Sequence, residues 1–372
     1  MQSALSEAVI AGAEAAELEA LPVPDHFAAA VVREEDIGIF RSVEDKDVRK
    51  SVFVEDVPMP DLAPDEALIA VMASSINYNT VWTAMFEPVP TFQFLRQMGR
   101  NGGWEARHDL PYHILGSDAS GVVVRTGSSV RRWKAGDHVV ISPAYVDEQD
   151  HDTHQDGMLG ENQKAWGFET NFGGLAHYAV VRASQLMPKP AALTWEEAAV
   201  NPLCASTAYR MLVSERGARM KQGDVVLVWG ATGGLGAYAV QLVLNGGGIP
   251  VGVVNSEEKA RILMSLGCEA SSIAMTSKRE IRPFSSGPTA GREWGKPFAR
   301  LWERIRTSCS SMSARRLSPP PCSSLGGAAP SSPAGRAPGT TTSTTTGTCG
   351  CASSGSSAAM APTCTSSGRS TG

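Results

Sequence analysis

A glycine-rich turn between an apolar segment and an amphipathic segment sets the architecture of the middle of this chain. The stretch reads VVLVWGATGGLGAYAVQL, residues 225–242. Glycines in a strand–turn–helix context let the backbone approach a pyrophosphate at the N-terminus of the helix. A tight turn that holds no ligand is the alternative. The motif predicts a dinucleotide site with these cofactor-binding residues: Gly230, Thr232, Gly233, Gly234, Leu235 and Gly236.

The segments around this turn alternate between strand and helix patterns. TWEEAAVNPLCASTAYRMLV, residues 194–213, predicts a helix with a threonine cap and acidic residues in its first turn. After the turn come the strand IPVGVVN and the capped helix SEEKARILMSLG. A βαβα run is typical of a parallel sheet. Residues 193–270 are therefore predicted to form the first half of a Rossmann, doubly wound nucleotide-binding domain.

The end of the second strand indicates which nucleotide the site prefers. An NAD site usually places an acidic residue there, to hold the ribose hydroxyls. This chain has Asn255 and Ser256, followed by Lys259 and Arg261. Those four residues suit a 2′-phosphate, which favours NADPH as the cofactor. Lys259 and Arg261 would otherwise be ordinary solvated charges on a helix.

The preceding segment, residues 28–192, has a different pattern. Short apolar runs such as EALIAVMASS and GDHVVIS alternate with glycine and proline turns. This spacing predicts a β-rich, barrel-like domain. Residues 1–27 are rich in alanine and acidic, which predicts a short helix and a linker.

The pattern stops near Ala270. Residues 287–306 still read like ordinary protein, but residues 307–372 are dominated by Ser, Thr, Ala, Gly, Pro, Arg and Cys. Such a composition supplies almost nothing to bury and predicts a disordered tail. Five of the seven cysteines lie in that tail, and their simplest interpretation is reduced thiols without a role.

Composition excludes several classes of function. A net charge of −5 does not indicate a nucleic-acid-binding protein. The N-terminus lacks the basic start and apolar core of a signal peptide, and no run of about 18 apolar residues suggests a membrane span. We therefore expect a cytoplasmic protein.

Three motifs resemble the medium-chain dehydrogenase/reductase superfamily: AGDHVV, GGLAHYAVV and the WEEAA…TAYRML segment. The resemblance implies a GroES-like catalytic domain before the Rossmann domain. Zinc alcohol dehydrogenases of that superfamily carry a His–Glu pair where this chain has Ser117 and Asp118. The four-cysteine zinc loop is also missing from the sequence, so the resemblance is to a zinc-free branch, without a metal site.

Longer segments resemble crotonyl-CoA carboxylase/reductases over about residues 27–269. They include SSINYNTVW, HILGSDASGVVVRTG and WGFETNFGGLA. The family reaction is reductive carboxylation: NADPH delivers hydride to the β-carbon of an enoyl-CoA, and the enolate takes up carbon dioxide at the α-carbon. The resemblance implies an enoyl-CoA substrate, carbon dioxide as co-substrate and a homo-oligomer.

Three catalytic residues follow from the resemblance. Asn79 would donate its amide to carbon dioxide, Phe168 would shield the pocket, and Glu169 would order a water molecule. Structural roles are the alternatives: a turn residue, a core ring and a surface acid, respectively. A non-carboxylating NADPH-dependent reductase of enoyl thioesters or quinones is the alternative function.

The family also has a late histidine, in a segment resembling LKRIIGSH. Regrouping possible codons for residues 340–360 by one nucleotide spells YDHEYDNRYLWMRIKRIIGSH. Similar regroupings convert residues 271–277 to VIDRNDI and residues 308–314 to IVFEHVG. We therefore interpret 271–286 and 307–372 as out-of-frame segments and 287–306 as an in-frame remnant.

The sequence thus predicts an α/β protein with an incomplete second domain. A GroES-like domain precedes a Rossmann domain that is incomplete after its second strand, and a disordered tail follows. Open strand edges and a missing histidine would leave the activity lost or impaired. The remaining alternative is a frameshifted product without function.

Overall fold

The computed structural model describes residues 3–42, 45–268 and 270–273. These residues belong to two compact units. Among them, the first contains the residues up to Arg219 together with Gly234–Leu242, and the second contains Met220–Gly233 and the residues from Val243 to Ile273. The predicted remnant 287–306, the predicted tail 307–372 and most of the predicted out-of-frame segment 271–286 lie outside the described residues.

Two short helices open the first unit, α1 at Ala4–Ala11 and α2 at Ala15–Ala20. Ser3 caps α1 by accepting a hydrogen bond from the Ser6 amide, and Gly12 ends it with a φ of +76°. Leu5 and Leu18 are fully buried against the β-rich core. The N-terminus is therefore part of the core of this unit rather than a linker before it, because its apolar residues recur at helical spacing.

Ten strands lie in the described part of the first unit. They are β1 His26–Arg33, β2 Phe53–Pro58, β3 Glu66–Ser74, β4 Tyr112–Ile114, β5 Ala119–Thr126, β6 His138–Ile141, β7 Ala144–Tyr145, β8 Lys164–Ala165, β9 Tyr178–Arg182 and β10 Leu186–Pro188. A five-stranded antiparallel sheet runs β10-β6-β5-β3-β9, and a three-stranded sheet runs β2-β1-β4. Strands β7 and β8 form a separate antiparallel pair. This antiparallel topology is the barrel-like arrangement that the turn spacing predicts.

Four further helices lie in the first unit. They are α3 Tyr78–Met85, α4 Phe92–Arg100, α5 Trp195–Ala199 and α6 Pro202–Val213. The sequence pattern predicted one helix over residues 194–213, and this was wrong. Pro202 has no amide hydrogen to continue the hydrogen bonding of α5, so it begins a second helix at its first position. Thr194 and Glu197 cap α5 reciprocally, as the sequence indicated.

The second unit holds a parallel sheet. Its elements are β11 Val225–Trp229, β12 Ile249–Val254, α8 Glu257–Ser265 and β13 Ala270–Ile273. Helix α7, Gly234–Asn245, links β11 to β12; it starts in the first unit and ends in the second. Leu263 of α8 packs on β12 where Gly252 has no side chain, and a Cβ there would overlap Leu263.

The parallel sheet continues one strand beyond the sequence prediction. Val251–Val254 of β12 pairs in parallel with Ala270–Ile273, giving the order β11-β12-β13. Backbone hydrogen bonds make such a ladder, so a segment without strong strand propensity can still pair at an open edge. Within residues 3–42, 45–268 and 270–273, no helix is long and apolar enough to cross a bilayer.

Candidate functional site

Helix α3 positions Asn79 in the first unit. Asn77 caps this helix, and its side-chain oxygen accepts hydrogen bonds from the amides of Asn79 at 2.9 Å and Thr80 at 3.3 Å. The side-chain nitrogen of Asn79 lies 3.4 Å from Ser117 Oγ and donates to it. Asn79 is half-buried, and its side-chain amide is held by Ser117.

Ser117 and Asp118 lie beneath this cap, and both are fully buried. Asp118 Oδ2 accepts hydrogen bonds from Asn77 Nδ2 at 2.7 Å and Ser75 Oγ at 3.0 Å. Asp118 Oδ1 accepts one from the Leu203 amide at 2.8 Å, in the first turn of α6. One buried carboxylate thus joins the end of β3, the cap of α3 and the start of α6.

Two effects shift the pKa of Asp118 in opposite directions. Burial raises the pKa of this carboxyl to about 6, against the opposing effect of its hydrogen bonds from Asn77, Leu203 and Ser75. Its carboxylate lies at two helix starts, where a negative charge is favourable. Near neutral pH the group therefore carries a charge that these donors stabilise.

Aromatic rings line the same face of α3. The ring centroid of Phe168 lies 6.4 Å from that of Trp82 and 5.9 Å from that of Phe94. Tyr78 stands 5.8 Å from Trp82, and two-thirds of its surface is exposed. Because Trp82 is three residues after Asn79, it is close to Asn79 on the helix surface. The structure therefore brings Phe168 to the helix that carries Asn79.

Close backbone packing fixes the segment that carries Phe168 and Glu169. Gly167 has a φ of +68°, and a Cβ there would overlap the carbonyl oxygen of Gly116. A Cβ on Gly174 would lie 2.9 Å from the carbonyl oxygen of Asp118. Only glycine permits this approach, so these glycines hold the Phe168 segment directly against the Ser117–Asp118 segment.

Glu169 is half-buried beside Phe168. Its carboxylate accepts a hydrogen bond from the Ala165 amide at 2.7 Å, which closes the turn after β8. Burial raises the pKa of Glu169, and the Ala165 bond opposes that rise. Glu169 is therefore a half-buried turn residue in this structure, and its catalytic role stays a prediction.

Two buried histidines support the same region. His113 donates from Nε2 to the Thr170 carbonyl at 3.1 Å and accepts from Thr91 at its Nδ1, at 2.8 Å. The His108 Nδ1 accepts from the Asn171 amide at 3.1 Å. Burial lowers the pKa of His113 to about 4 and that of His108 to about 3, so both rings are neutral at pH 7.

The glycine turn has the geometry that a phosphate cradle needs. Gly230 has a φ of +62°, and a Cβ there would meet no heavy atom within 4 Å. The Gly233 amide donates to the Gly230 carbonyl at 2.8 Å, and α7 begins at Gly234. Gly233 and Gly234 are exposed, Thr232 and Leu235 are half-buried, and Gly236 is buried. The open, left-handed turn before a helix fits the predicted pyrophosphate site.

The predicted 2′-phosphate residues lie together at the end of β12. Lys259 Nζ donates to Asn255 Oδ1 at 2.9 Å, and the Ser256 hydroxyl caps α8 by accepting from the Lys259 amide at 3.3 Å. Asn255 and Lys259 are both exposed. An exposed ammonium beside an amide and a helix start suits an anion.

Sequence reasoning missed the residues that hold the site. It noted Asp118 only as a replacement for a zinc ligand, and it assigned no role to Asn77, Trp82 or Leu203. The capping pattern of Asn77, two residues before Asn79, was a signal that could have identified the first of these. Within the described part of the chain, no group of three His, Cys, Asp or Glu side chains could hold a metal ion.

Comparison with known proteins agrees with this geometry. Residues 63–191 match the alcohol dehydrogenase GroES-like domain, which confirms the predicted domain type. A crotonyl-CoA reductase from Streptomyces avermitilis is 56% identical over 69% of this chain and 58% of its own length. The chain thus spans less than two thirds of this curated relative.

Two solved structures are also similar. The apo 2-octenoyl-CoA carboxylase reductase CinF from Streptomyces sp. has a TM-score of 0.75 and 64% identity, covering 80% of this chain and 68% of that one. The CinF complex with NADP and 2-octenoyl-CoA has a TM-score of 0.71 and 69% identity, covering 73% and 61%, respectively. The chain therefore belongs to the crotonyl-CoA carboxylase/reductase family within the medium-chain dehydrogenase/reductase superfamily.

Proposed function

We propose that this chain derives from an NADPH-dependent enzyme that reductively carboxylates an enoyl-CoA. In the reaction, a hydride forms a C–H bond at the β-carbon, and the electron pair of the double bond moves to the α-carbon. That carbon then forms a C–C bond to carbon dioxide, so the product is an alkylmalonyl-CoA and no proton is needed. A proton at the α-carbon would instead give the simple reduced thioester.

The observation that carries this proposal is the pairing of Asn79 with an aromatic wall. Ser117 holds the Asn79 amide, and Trp82 and Phe94 hold the Phe168 ring. A fixed amide donor can hold an oxygen of carbon dioxide near the enolate, which lowers the entropic cost of the C–C step. The rings exclude the water that would otherwise protonate the α-carbon.

Glu169 gives a second polar group beside Phe168. Its Oε2 is engaged by the Ala165 amide, which leaves further lone pairs on the carboxylate for an ordered water. We assign it the role of holding that water away from the enolate.

NADPH supplies the hydride when it is bound. The Gly230–Gly233 turn and the start of α7 would hold its pyrophosphate, and Asn255, Ser256 and Lys259 its 2′-phosphate. The CinF complex contains NADP and 2-octenoyl-CoA, which supports this cofactor and this substrate class for the present chain.

Product analysis tests the proposal. With crotonyl-CoA, NADPH and ¹³C-bicarbonate, the enzyme should yield labelled ethylmalonyl-CoA in preference to butyryl-CoA. Butyryl-CoA as the main product at saturating bicarbonate would favour the non-carboxylating reductase. Medium-chain enoyl-CoAs, tested in parallel, would define the acyl-chain preference.

The proposal includes impaired activity in the chain as written. Residues 340–360 contain no histidine in the given frame. In the regrouped reading of possible codons, a histidine falls across the codons for Ala359 and Met360. Without that side chain, carbon dioxide would lose one of its contacts, and simple reduction would gain at the expense of carboxylation.

Resequencing the gene from the codon for Gly267 onward tests this part. If resequencing removes single-base errors, the corrected gene would encode a complete reductive carboxylase. Shifts that persist would make the present chain a broken product, in which Asn79 and the glycine turn preserve an ancestral site. A given-frame chain that carboxylates as well as its frame-restored counterpart would contradict the impairment.

A further inference from the structure

The buried carboxylate of Asp118 connects the cap of α3, which carries Asn79, to the first turn of α6. We propose that Asp118 is a positioning residue: it fixes Asn79 through Asn77, and it fixes the start of α6 through the Leu203 amide. This inference rests on the proposed function and adds a residue that the catalytic set of Asn79, Phe168 and Glu169 does not include.

The contacts that lead from Asp118 through Asn77 to Asn79 form the first arm of this connection. Asp118 Oδ2 accepts from Asn77 Nδ2 at 2.7 Å, which settles the orientation of the Asn77 amide. With its nitrogen committed to Asp118, Asn77 presents its oxygen to the amides of Asn79 and Thr80. Reversal of the Asn77 amide would place an NH₂ group against two N–H donors and open the cap.

Ser117 completes this arm from the neighbouring position. Its hydroxyl accepts from Asn79 Nδ2 at 3.4 Å. The backbone of Asn79 therefore depends on Asp118, and its side chain depends on Ser117.

The second arm comprises the contacts that lead from Asp118 through the start of α6 to α7. Asp118 Oδ1 accepts from the Leu203 amide at 2.8 Å, and Cys204 follows directly. A Cβ on Gly234 would lie 2.8 Å from Cys204 Sγ, so α6 approaches the first residue of α7 as closely as a glycine allows. Asn201, just before α6, accepts a hydrogen bond from the Tyr238 hydroxyl of α7. Displacement of the α6 start would therefore shift the first turn of α7 itself, Gly234 to Tyr238.

Hydrogen exchange in the full chain tests the first arm without using catalysis. The Asn79 and Thr80 amides should be protected in the unaltered chain and should exchange at least about tenfold faster in Asp118→Asn, the scale of one lost hydrogen bond. Asp137→Asn is the matched control, because Asp137 accepts from the Lys134 amide in an exposed turn. Full exchange of both amides in the unaltered chain would overturn the proposal.

A reciprocal exchange tests orientation rather than fold stability. In the double variant Asp118→Asn/Asn77→Asp, the introduced amide can donate to the introduced carboxylate, which still caps α3. Protection of Asn79 and Thr80 should return to within about threefold of the unaltered chain, whereas Asp118→Asn alone stays unprotected. Equal protection in the single and double variants would contradict the connection.

The ratio of carboxylated to reduced product tests the consequence in the frame-restored enzyme. Asp118→Asn should lower this ratio about tenfold, and the double variant should recover most of it. A loss of total turnover at an unchanged ratio would mean that Asp118 acts only on the fold. If the unaltered frame-restored enzyme forms no carboxylated product, the proposed function fails, while the exchange experiment still decides the role of Asp118.

Discussion

The ring of Phe168 lies 6.4 Å, centroid to centroid, from the ring of Trp82, one helical turn beyond Asn79. This contact joins two segments far apart in the sequence into one wall. It brings an aromatic ring to the helix that carries the Asn79 amide, the pairing on which the proposed carbon dioxide pocket rests.

Replacement of Asn79 by leucine should redirect the reaction. Asn79→Leu keeps a side chain of similar size but removes the amide donor. The carboxylated product should therefore fall about tenfold relative to the reduced product. Quantifying both thioesters by mass spectrometry measures the change in the frame-restored enzyme. Asn101→Leu, in an exposed position where the side chain bonds only to Glu105, is the control and should leave the ratio unchanged. An unchanged ratio in Asn79→Leu would favour the non-carboxylating reductase.

Gly167→Ala should destabilise the first unit strongly. Its Cβ would overlap the Gly116 carbonyl, and its φ of +68° is costly for any residue with a side chain. We expect a loss of about 3 kcal/mol in the free energy of unfolding. Gly12→Ala is the control, because Gly12 has a φ of +76° but no heavy atom within 4 Å of a Cβ; it should cost about 1 kcal/mol. Equal losses in urea titrations of both variants would contradict the close packing.

Acid should destabilise the fold through its buried histidines. His108 and His113 have pKa values of about 3 and 4 when folded, below the ordinary value of 6.5. The unfolded chain therefore binds more protons below pH 6.5, and stability falls as pH drops from there toward 4, by about 1.4 kcal/mol per pH unit for each histidine that titrates only when unfolded. His113→Gln should flatten this slope, whereas His151→Gln, at an exposed position, should leave it unchanged.

Asp118 contributes the opposite slope. Its folded pKa of about 6 lies above the ordinary value of 3.8, so the folded chain binds the extra proton between those values and stability declines as pH rises through them. Comparison of His113→Gln with the unaltered chain isolates the histidine part, because Asp118 is present in both. A slope that is the same in both would contradict a buried neutral His113.

Arg210 should anchor the segment before Lys164 to α6. It binds the Asp156 carboxylate through two nitrogens, at 2.7, 3.0 and 3.1 Å, and lowers the pKa of that carboxyl. Asp156→Asn should speed cleavage at Glu148 or Glu161 by a glutamate-specific protease severalfold, because one strong pair holds this segment. Asp47→Asn, which breaks the exposed local pair with Arg49, is the control. Equal cleavage rates would show that Arg210 does not hold the segment.

Lys259 should set the nucleotide preference. Lys259→Ala should weaken NADPH binding about tenfold and leave NADH binding unchanged, because only NADPH carries the 2′-phosphate. Calorimetric titration of the full chain with each nucleotide measures both affinities. Lys134→Ala, an exposed lysine of the first unit, serves as the control. A matching loss for NADH would mean that Lys259 supports the fold of α8 rather than the phosphate.

The sequence was sufficient to predict the caps and turns that depend on local chemistry. The Thr194 cap, the Ser256 cap and the Gly230 turn each follow from residue types at fixed spacing. The break at Pro202 was also visible in the sequence, but the apolar pattern on both sides concealed it. The strand at Ala270–Ile273 had no such signal, because its pairing comes from the open edge of β12.

The contacts that build the candidate site were beyond pattern reasoning. Asp118 meets Asn77 and Leu203 only after three separate segments have folded, so no local spacing encodes that meeting. The contact of Phe168 with Trp82 likewise depends on the glycines that bring Gly167 against Gly116. Residue type could suggest Asn79 and Phe168 as candidates, whereas their proximity depends on the tertiary structure.

The most direct test of the central claim is ¹³C incorporation by the frame-restored enzyme and by the chain as written, measured side by side with crotonyl-CoA, NADPH and ¹³C-bicarbonate. We predict labelled ethylmalonyl-CoA from the frame-restored enzyme and little or none from the chain as written. Unlabelled butyryl-CoA as the sole product of the frame-restored enzyme would contradict reductive carboxylation as the function of this site.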